Sequence, residues 1–308
     1  MEPKIDFYNF SCNGGEFQEQ FLSSMYSIQI CVALLSNLFA LWLLVTRERN
    51  NWHTGVVLSC NLAISDLLYS LTLPMLIDYY IKERDWLNGS AACKIERFFF
   101  TCNLYVSIYF IMCISVTRYL AVAHPFFTRN NVSPARAKVA SVVIWISVTA
   151  MSSPALRFTS LCPAAYNKTH CVMNSFCATT SPDVANSLFN YKVTLTVVGC
   201  FVPFLVTFVS YGGLLRVVWR NPNITSVVKR KVGLMVFAAV VLSAISFLPY
   251  HFIECYYLYA RVNDPGSECS FLYKAYQVSK GLVTMNMCIH PLLYVAVFDN
   301  IRMTCFSC

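Results

Sequence analysis

The chain has 308 residues, of which 57% are hydrophobic and only 12% charged, with a mean hydropathy of +0.54. A soluble domain carries about 25% charged residues, so this composition excludes an ordinary water-soluble protein. The net charge of +8 calls for no nucleic-acid partner, because much of it flanks apolar runs where it faces anionic lipid.

Residues 1–20 are polar and acidic, and read as an extracellular N-terminal segment with Cys12 and a glycosylation sequon at Asn9. The apolar run that follows is too long, and too poorly flanked, for a cleaved signal peptide. Seven runs between charges come near the roughly 20 residues that cross a bilayer. They are 20–46, 54–77 (broken only by Asp66), 98–117, 139–156, 193–215, 232–253 and 281–298. The expected fold is an all-α membrane protein: a seven-helix transmembrane bundle over 21–298, then a short amphipathic eighth helix over 299–308.

Charge sets the orientation. If the first span exits to the cytoplasm, the cytoplasmic loops collect Arg47, Arg49, Arg129, Arg136, Lys138, Arg216, Arg220 and Lys229–Lys231, with few acids. That agrees with the excess of bases on cytoplasmic loops. Sequons at Asn9, Asn88 and Asn167 then fall outside. Of fifteen cysteines, Cys12, Cys93, Cys162, Cys171, Cys177 and Cys269 lie outside, where disulfides persist. Six cysteines allow fifteen pairings, and sequence does not choose among them. No cysteine–histidine spacing suggests a metal.

An ionisable group inside a span is costly and marks function. Asp66 is the clearest, with Asn103, Ser107 and Asn286 at similar depth. Together they are candidates for a hydrated pocket that holds a sodium ion, against the simpler reading of helix–helix hydrogen bonds. No other cofactor is expected. Pro74, Pro154, Pro203, Pro249 and Pro291 mark expected kinks.

Read in order, the motifs form a pattern. They are "SNLFAL" with Asn37, "NLAISDLL" with Asp66, Cys93, Arg118-Tyr119, Trp145, Pro203 and Tyr211, "FLPYH" with Pro249, and "HPLLY" with Pro291 and Tyr294. One falls in each span, and the chain resembles a class A (rhodopsin-like) G-protein-coupled receptor over nearly its whole length. "LTLPMLIDYY", "RYLAVAHPFF" and "FLPYHFIECYYLYARV" resemble the purinergic nucleotide receptors, and "HPFFTRNNVSPARAK" and "CIHPLLY" an ATP-responsive subtype. The resemblance implies a Cys12–Cys269 bridge and a second bridge from Cys93 to the second outer loop. Cys177 is the expected partner there, which leaves Cys162 with Cys171.

Arg97, Arg157, Lys192, Arg261, Lys274 and Lys280 stand at outer span ends, near Phe100, Tyr105, Tyr256 and Tyr276. Bases over aromatics suit an anion attached to a flat ring. The resemblance carries nucleotide contact onto Arg97, His251, Arg261, Tyr276 and Lys280. Lys280 replaces the usual arginine, and Glu254 stands where relatives carry a base. It would repel phosphate unless paired, with Arg261 or Lys280 as expected partners. The partners implied are an extracellular small anion (ATP-like), a heterotrimeric G protein and the lipid bilayer. Gq coupling with calcium release is expected, with Gs as a second route. The alternatives are a receptor of this fold for a carboxylate or acidic lipid, and a transporter, for which no internal repeat speaks. No catalytic constellation suggests an enzyme.

Class A receptors usually place an acid just before the arginine of the third span. Here Arg118 follows Thr117, and Lys229 replaces the acid that some receptors use on the sixth span. A weakly held switch made of Arg118, Tyr119, Tyr211, Lys229 and Tyr294 is expected. Cys305 and Cys308 are candidate palmitoylation sites.

Overall fold

The computed structural model describes residues 15–47, 52–163, 168–173, 181–263 and 270–291. The first span is α1 (Gly15–Arg47). The second is α2 (Thr54–Ser70) continued by α3 (Leu73–Ile81), and the third is α4 (Gly89–Ala123). The short α5 (Pro125–Asn131) leads to the fourth span, α6 (Pro134–Ser152) with α7 (Pro154–Phe158). Strands β1 (Thr159–Pro163) and β2 (Thr169–Met173) pair antiparallel. The fifth span is α8 (Pro182–Thr194), a π-helical stretch (Leu195–Phe201) and α9 (Val202–Arg220). The sixth is α10 (Ser226–Asn263). The seventh is α11 (Ser270–Thr284), resuming over 286–291.

Six described helices are long and apolar enough to cross a membrane: Gln20–Thr46, Thr54–Ile81, Gly89–Ala123, Pro134–Phe158, Asp183–Arg220 and Ser226–Ala260. The seventh expected span is described to residue 291. Several helices run beyond the charge-free windows. The third begins at Gly89 rather than 98, and the seventh at Ser270 rather than 281. The extra turns carry Lys94, Glu96 and Arg97, and Lys274 and Lys280. Glu96 and Lys280 are buried, so a bundle that partners a charge internally lets a helix continue past it. A window that stops at every charge misses those turns.

Most prolines sit where helices restart. Pro74 opens α3 and Pro154 opens α7, while Pro203 follows the π stretch. Each lacks the N–H that would continue the preceding hydrogen-bond ladder. Pro249 instead lies inside the continuous α10. Ser133 caps α6, its hydroxyl accepting from the Arg136 amide at 3.3 Å.

The spans expose apolar side chains on their outer faces and bury polar ones within an otherwise apolar core. On α1, Leu35, Phe39 and Trp42 are exposed while Asn37 is fully buried. Asn37 Nδ2 donates to the carbonyls of Ala33 (2.9 Å) and Met287 (2.8 Å), joining the first span to the seventh. Trp145 Nε1 donates to Asn61 Oδ1 at 3.1 Å, joining the fourth to the second. Lipid offers no hydrogen bonds, so these groups must be satisfied across helices. The central α4 packs against α2, α6 and α9.

The π-helical stretch brings Gly199 against the third span. A Cβ built there would lie 2.5 Å from two Tyr105 ring carbons. Gly199→Ala should therefore destabilise the bundle by about 1–3 kcal/mol, overpacking outweighing alanine's better helix propensity of about 1 kcal/mol. Thermal unfolding in detergent checks this. The double variant with Tyr105→Leu should recover most of the loss, and additive losses would contradict the contact.

Candidate functional site

The β1–β2 hairpin lies over one end of the bundle. Its register pairs Leu161 with Cys171 and Cys162 with His170. Successive side chains alternate faces along a strand, so Cys162 and Cys171 point to opposite faces and do not bridge. Cys171 bonds instead to Cys93 at the start of the third span. This corrects both expected pairings that placed Cys93 with Cys177 and Cys162 with Cys171. Cys162 is itself disulfide-bonded. Cys12, Cys177, Cys269, Asn9, Asn167, Tyr294, Cys305, Cys308 and the expected eighth helix lie outside the described residues, as does the side chain of Arg261.

The turn after α3 grips this hairpin. Glu83 and Arg84 take left-handed backbone with φ of 53° and 67°, unusual for residues with a Cβ. Trp86 donates its amide to the Thr169 carbonyl at 2.8 Å, and Asp85 Oδ1 accepts from the Thr169 amide at 2.9 Å. Lys168 pairs with Glu83, and this contact holds the Glu83 carboxyl below its usual range. Burial, then the charges of Arg84 and Lys168, lower His170 to about 4, so it is neutral at physiological pH. The turn sets Arg84 in the wall of a cavity.

That cavity, of about 200 Å³, opens at the hairpin end. Arg84, Arg97, Lys192 and Lys280 line it against a single acid, Glu254, among the described residues. Arg97 is aimed by the disulfide-bonded strand: its Nη2 donates to the Cys171 carbonyl at 3.2 Å, and its Nε lies 3.3 Å from Glu96. Lys280 sits over the Phe100 ring, 5.4 Å from its centroid. That contact spends none of its charge on a carboxylate. Tyr257 and Tyr276 stack at 5.4 Å with 9° between their planes, and Tyr250 stacks on Tyr276 at 6.2 Å. Bases beside flat rings make a mouth for an anion carrying an aromatic group.

The expected ligand residues divide. Arg97, Glu254, Tyr276 and Lys280 line the cavity; Tyr105 and His251 do not. His251 is fully buried, its Nδ1 donating to the Phe247 carbonyl at 2.8 Å. Its Nε2 meets the Tyr105 hydroxyl at 3.3 Å. Tyr250 lies edge-on to the His251 ring and also lines the cavity, so the pair touches the site through that ring. Arg157 and Lys274 do not line the cavity. Glu254 takes a different partner from those expected. Its Oε1 accepts from Lys192 Nζ at 2.8 Å and from the Tyr250 hydroxyl at 2.9 Å. Arg84, Tyr79 and His170 join the wall without any sequence signal except their place near outer span ends.

Two polar clusters lie deeper. Asp66 is fully buried; its Oδ1 accepts from Asn103 Nδ2 at 2.9 Å, and its Oδ2 accepts from His290 Nδ1 at 2.8 Å. At the end opposite the hairpin, Arg118 Nη1 contacts Met235 Sδ at 3.8 Å and pairs with no carboxylate among the described residues. The Thr117 hydroxyl donates to the Ile114 carbonyl of its own helix. Lys229 Nζ reaches the Trp219 carbonyl at 3.1 Å, tying the sixth span to the fifth rather than meeting Arg118. Tyr211 packs with Leu214, Val218, Val236 and Ala239, and Tyr119 lies against that cluster.

Residues 36–294 match the family described as 7 transmembrane receptor (rhodopsin family). The chain is 36% identical to purinoceptor 11 of Homo sapiens, over 95% of this chain and 83% of that protein. It is 34% identical to purinoceptor 1 of Mus musculus (93% of this chain, 76% of that protein) and of Gallus gallus (93% and 78%). A bundle with a basic, tyrosine-walled mouth at one end and a half-buried arginine near the other, matched at this length and identity, belongs to the rhodopsin family of seven-transmembrane receptors and, within it, to the purinoceptors.

Proposed function

We propose that this protein is a plasma-membrane receptor for an extracellular nucleotide of the ATP kind, signalling through a heterotrimeric G protein. The hairpin end faces outside and the Arg118 end faces the cytoplasm. The orientation is supported by the bases at the Arg118 end and by the sequon at the exposed Asn88 beside the hairpin. Asn9 and Asn167 are further glycosylation sites in this reading, and Cys305 and Cys308 are sites for palmitate.

The observation that carries the reading is the cavity, where among the described residues four bases stand against one acid beside stacked tyrosines. Arg97 forks onto phosphate oxygens, Lys280 supplies a point charge, and Tyr276 and its neighbours face the base. Arg261 completes the phosphate site from the end of the sixth span. Ligand draws the sixth and seventh spans together at this end. The opposite end of α10 then opens, and a helix of the G protein enters beside Arg118, Tyr211 and Tyr294. Gq coupling with calcium release is the main route, and Gs the second. One observation favours a second reading: the Lys192–Glu254 pair spends one base. That favours an anion with fewer charges than a triphosphate, a carboxylate among them.

A panel of nucleotides and carboxylates on transfected cells, read by calcium and cyclic AMP, tests the reading. Adenine nucleotides should respond, and Arg97→Ala or Lys280→Ala should each weaken potency about 100-fold, near 2.8 kcal/mol per charged contact. Silence to every nucleotide with a response to carboxylates would favour the second reading.

Glu254→Gln frees Lys192 and should raise nucleotide potency about tenfold, worth about 1.4 kcal/mol. The gain should vanish when Lys192→Ala is added. An unchanged dose–response for Glu254→Gln would remove Glu254 from ligand tuning.

Arg118, with no carboxylate partner among the described residues, leaves the resting state weakly held. Thr117→Asp supplies one, and a net gain of about 1.4 kcal/mol shifts the resting-to-active ratio about tenfold. Ligand-free signalling at matched surface expression should fall accordingly. Unaltered basal output would contradict the weak latch.

A further inference from the structure

The cluster around Asp66 belongs neither to the ligand mouth nor to the Arg118 end. It holds the four residues whose types suit a sodium ion: Asp66, Asn103, Ser107 and Asn286. A hard cation is held by several oxygens directed at one point. Their arrangement here does not provide that. Both Asp66 oxygens accept from nitrogen, Oδ1 from Asn103 and Oδ2 from His290. The Asn103 amide also donates to Ser65 Oγ at 3.1 Å. Asn286 turns its Nδ2 to the Val283 carbonyl at 3.2 Å, within its own turn. Ser107 Oγ is buried and makes no hydrogen bond to Asp66.

A small cavity of about 10 Å³ does lie nearby, lined by Asn103, Ser107 and Asn286. It has room for about one water. Asp66 does not line it, so no carboxylate faces that space. The carboxylate still has to be answered, because a buried unpartnered charge in a membrane is costly. His290 is the residue that answers it, from 224 positions further along the chain and itself 2% exposed.

We propose that His290 stands in place of a bound cation, so that this receptor holds no sodium ion at Asp66 and its conformational balance is not coupled to sodium. The second and seventh spans are joined here by a hydrogen bond within the chain. The proposal is independent of which ligand the outer mouth takes.

The test uses purified full-length receptor without ligand. Thermal unfolding is followed by intrinsic fluorescence across a sodium chloride titration, with choline chloride at equal ionic strength as the control. The wild type should unfold at the same temperature in both salts. His290→Asn removes the ring, keeps Asp66, and should gain a saturable, sodium-specific rise in unfolding temperature. Adding Asp66→Asn to that variant should abolish the rise. A saturable sodium-specific rise in the wild type would overturn the proposal, as would a folded His290→Asn receptor indifferent to sodium. If that variant does not fold, equilibrium binding of radioactive sodium to the wild type decides: no binding supports the proposal and stoichiometric binding refutes it.

Discussion

A charge placed in hydrocarbon must find its partner inside the protein, because lipid supplies none. The three buried acids of the described spans each obey this. Asp66 meets His290, Glu96 meets Arg97, and Glu254 meets Lys192. Each bond fixes geometry as well as charge. The first ties the second span to the seventh, and the third ties the fifth to the sixth. The Glu96 contact, with the Cys171 carbonyl, holds the Arg97 fork at the cavity wall. Two bases, Lys280 and Arg118, lack such a partner among the described residues: Lys280 lies over the Phe100 ring, and Arg118 contacts a thioether sulfur. Charge is thus unevenly matched along the bundle: among the described residues, bases outnumber acids around the hairpin-end cavity, and Arg118 lies without a carboxylate at the opposite end.

Much of the fold was legible because a membrane span is written locally. Roughly 20 apolar residues in a row announce a span whatever the rest of the chain does. Prolines announced most of the places where helices restart. Helix lengths were not legible, since buried charges such as Glu96 and Lys280 interrupt the apolar window while the helix continues through them. The Cys93 partner was hidden for a different reason. Choosing Cys171 depends on which hairpin face each cysteine takes, and that follows from strand register, a pairing between distant residues.

The candidate site was legible in its chemistry and not in its pairings. Bases near outer span ends could be counted from the sequence, and Arg97, Tyr276 and Lys280 do line one cavity. Glu254 stood out because it opposes the charge of its surroundings. Its partner Lys192, 62 positions away, became visible only when the fifth and sixth spans were placed side by side. His251 and Tyr105 share the same history in reverse: their residue types suit a ligand, yet they bond to each other beneath the cavity. His290 carried no signal of its role, because nothing local in the sequence shows Asp66 beside it.

The central claim is that an anion with an aromatic group binds between the bases of the hairpin-end cavity. A structure of the receptor with an adenine nucleotide bound measures this most directly. The account places the phosphates between Arg97 and Lys280, the ring against Tyr276, and Glu254 turned away on Lys192. Nucleotide density outside this cavity, or phosphates seated away from both bases, would contradict it.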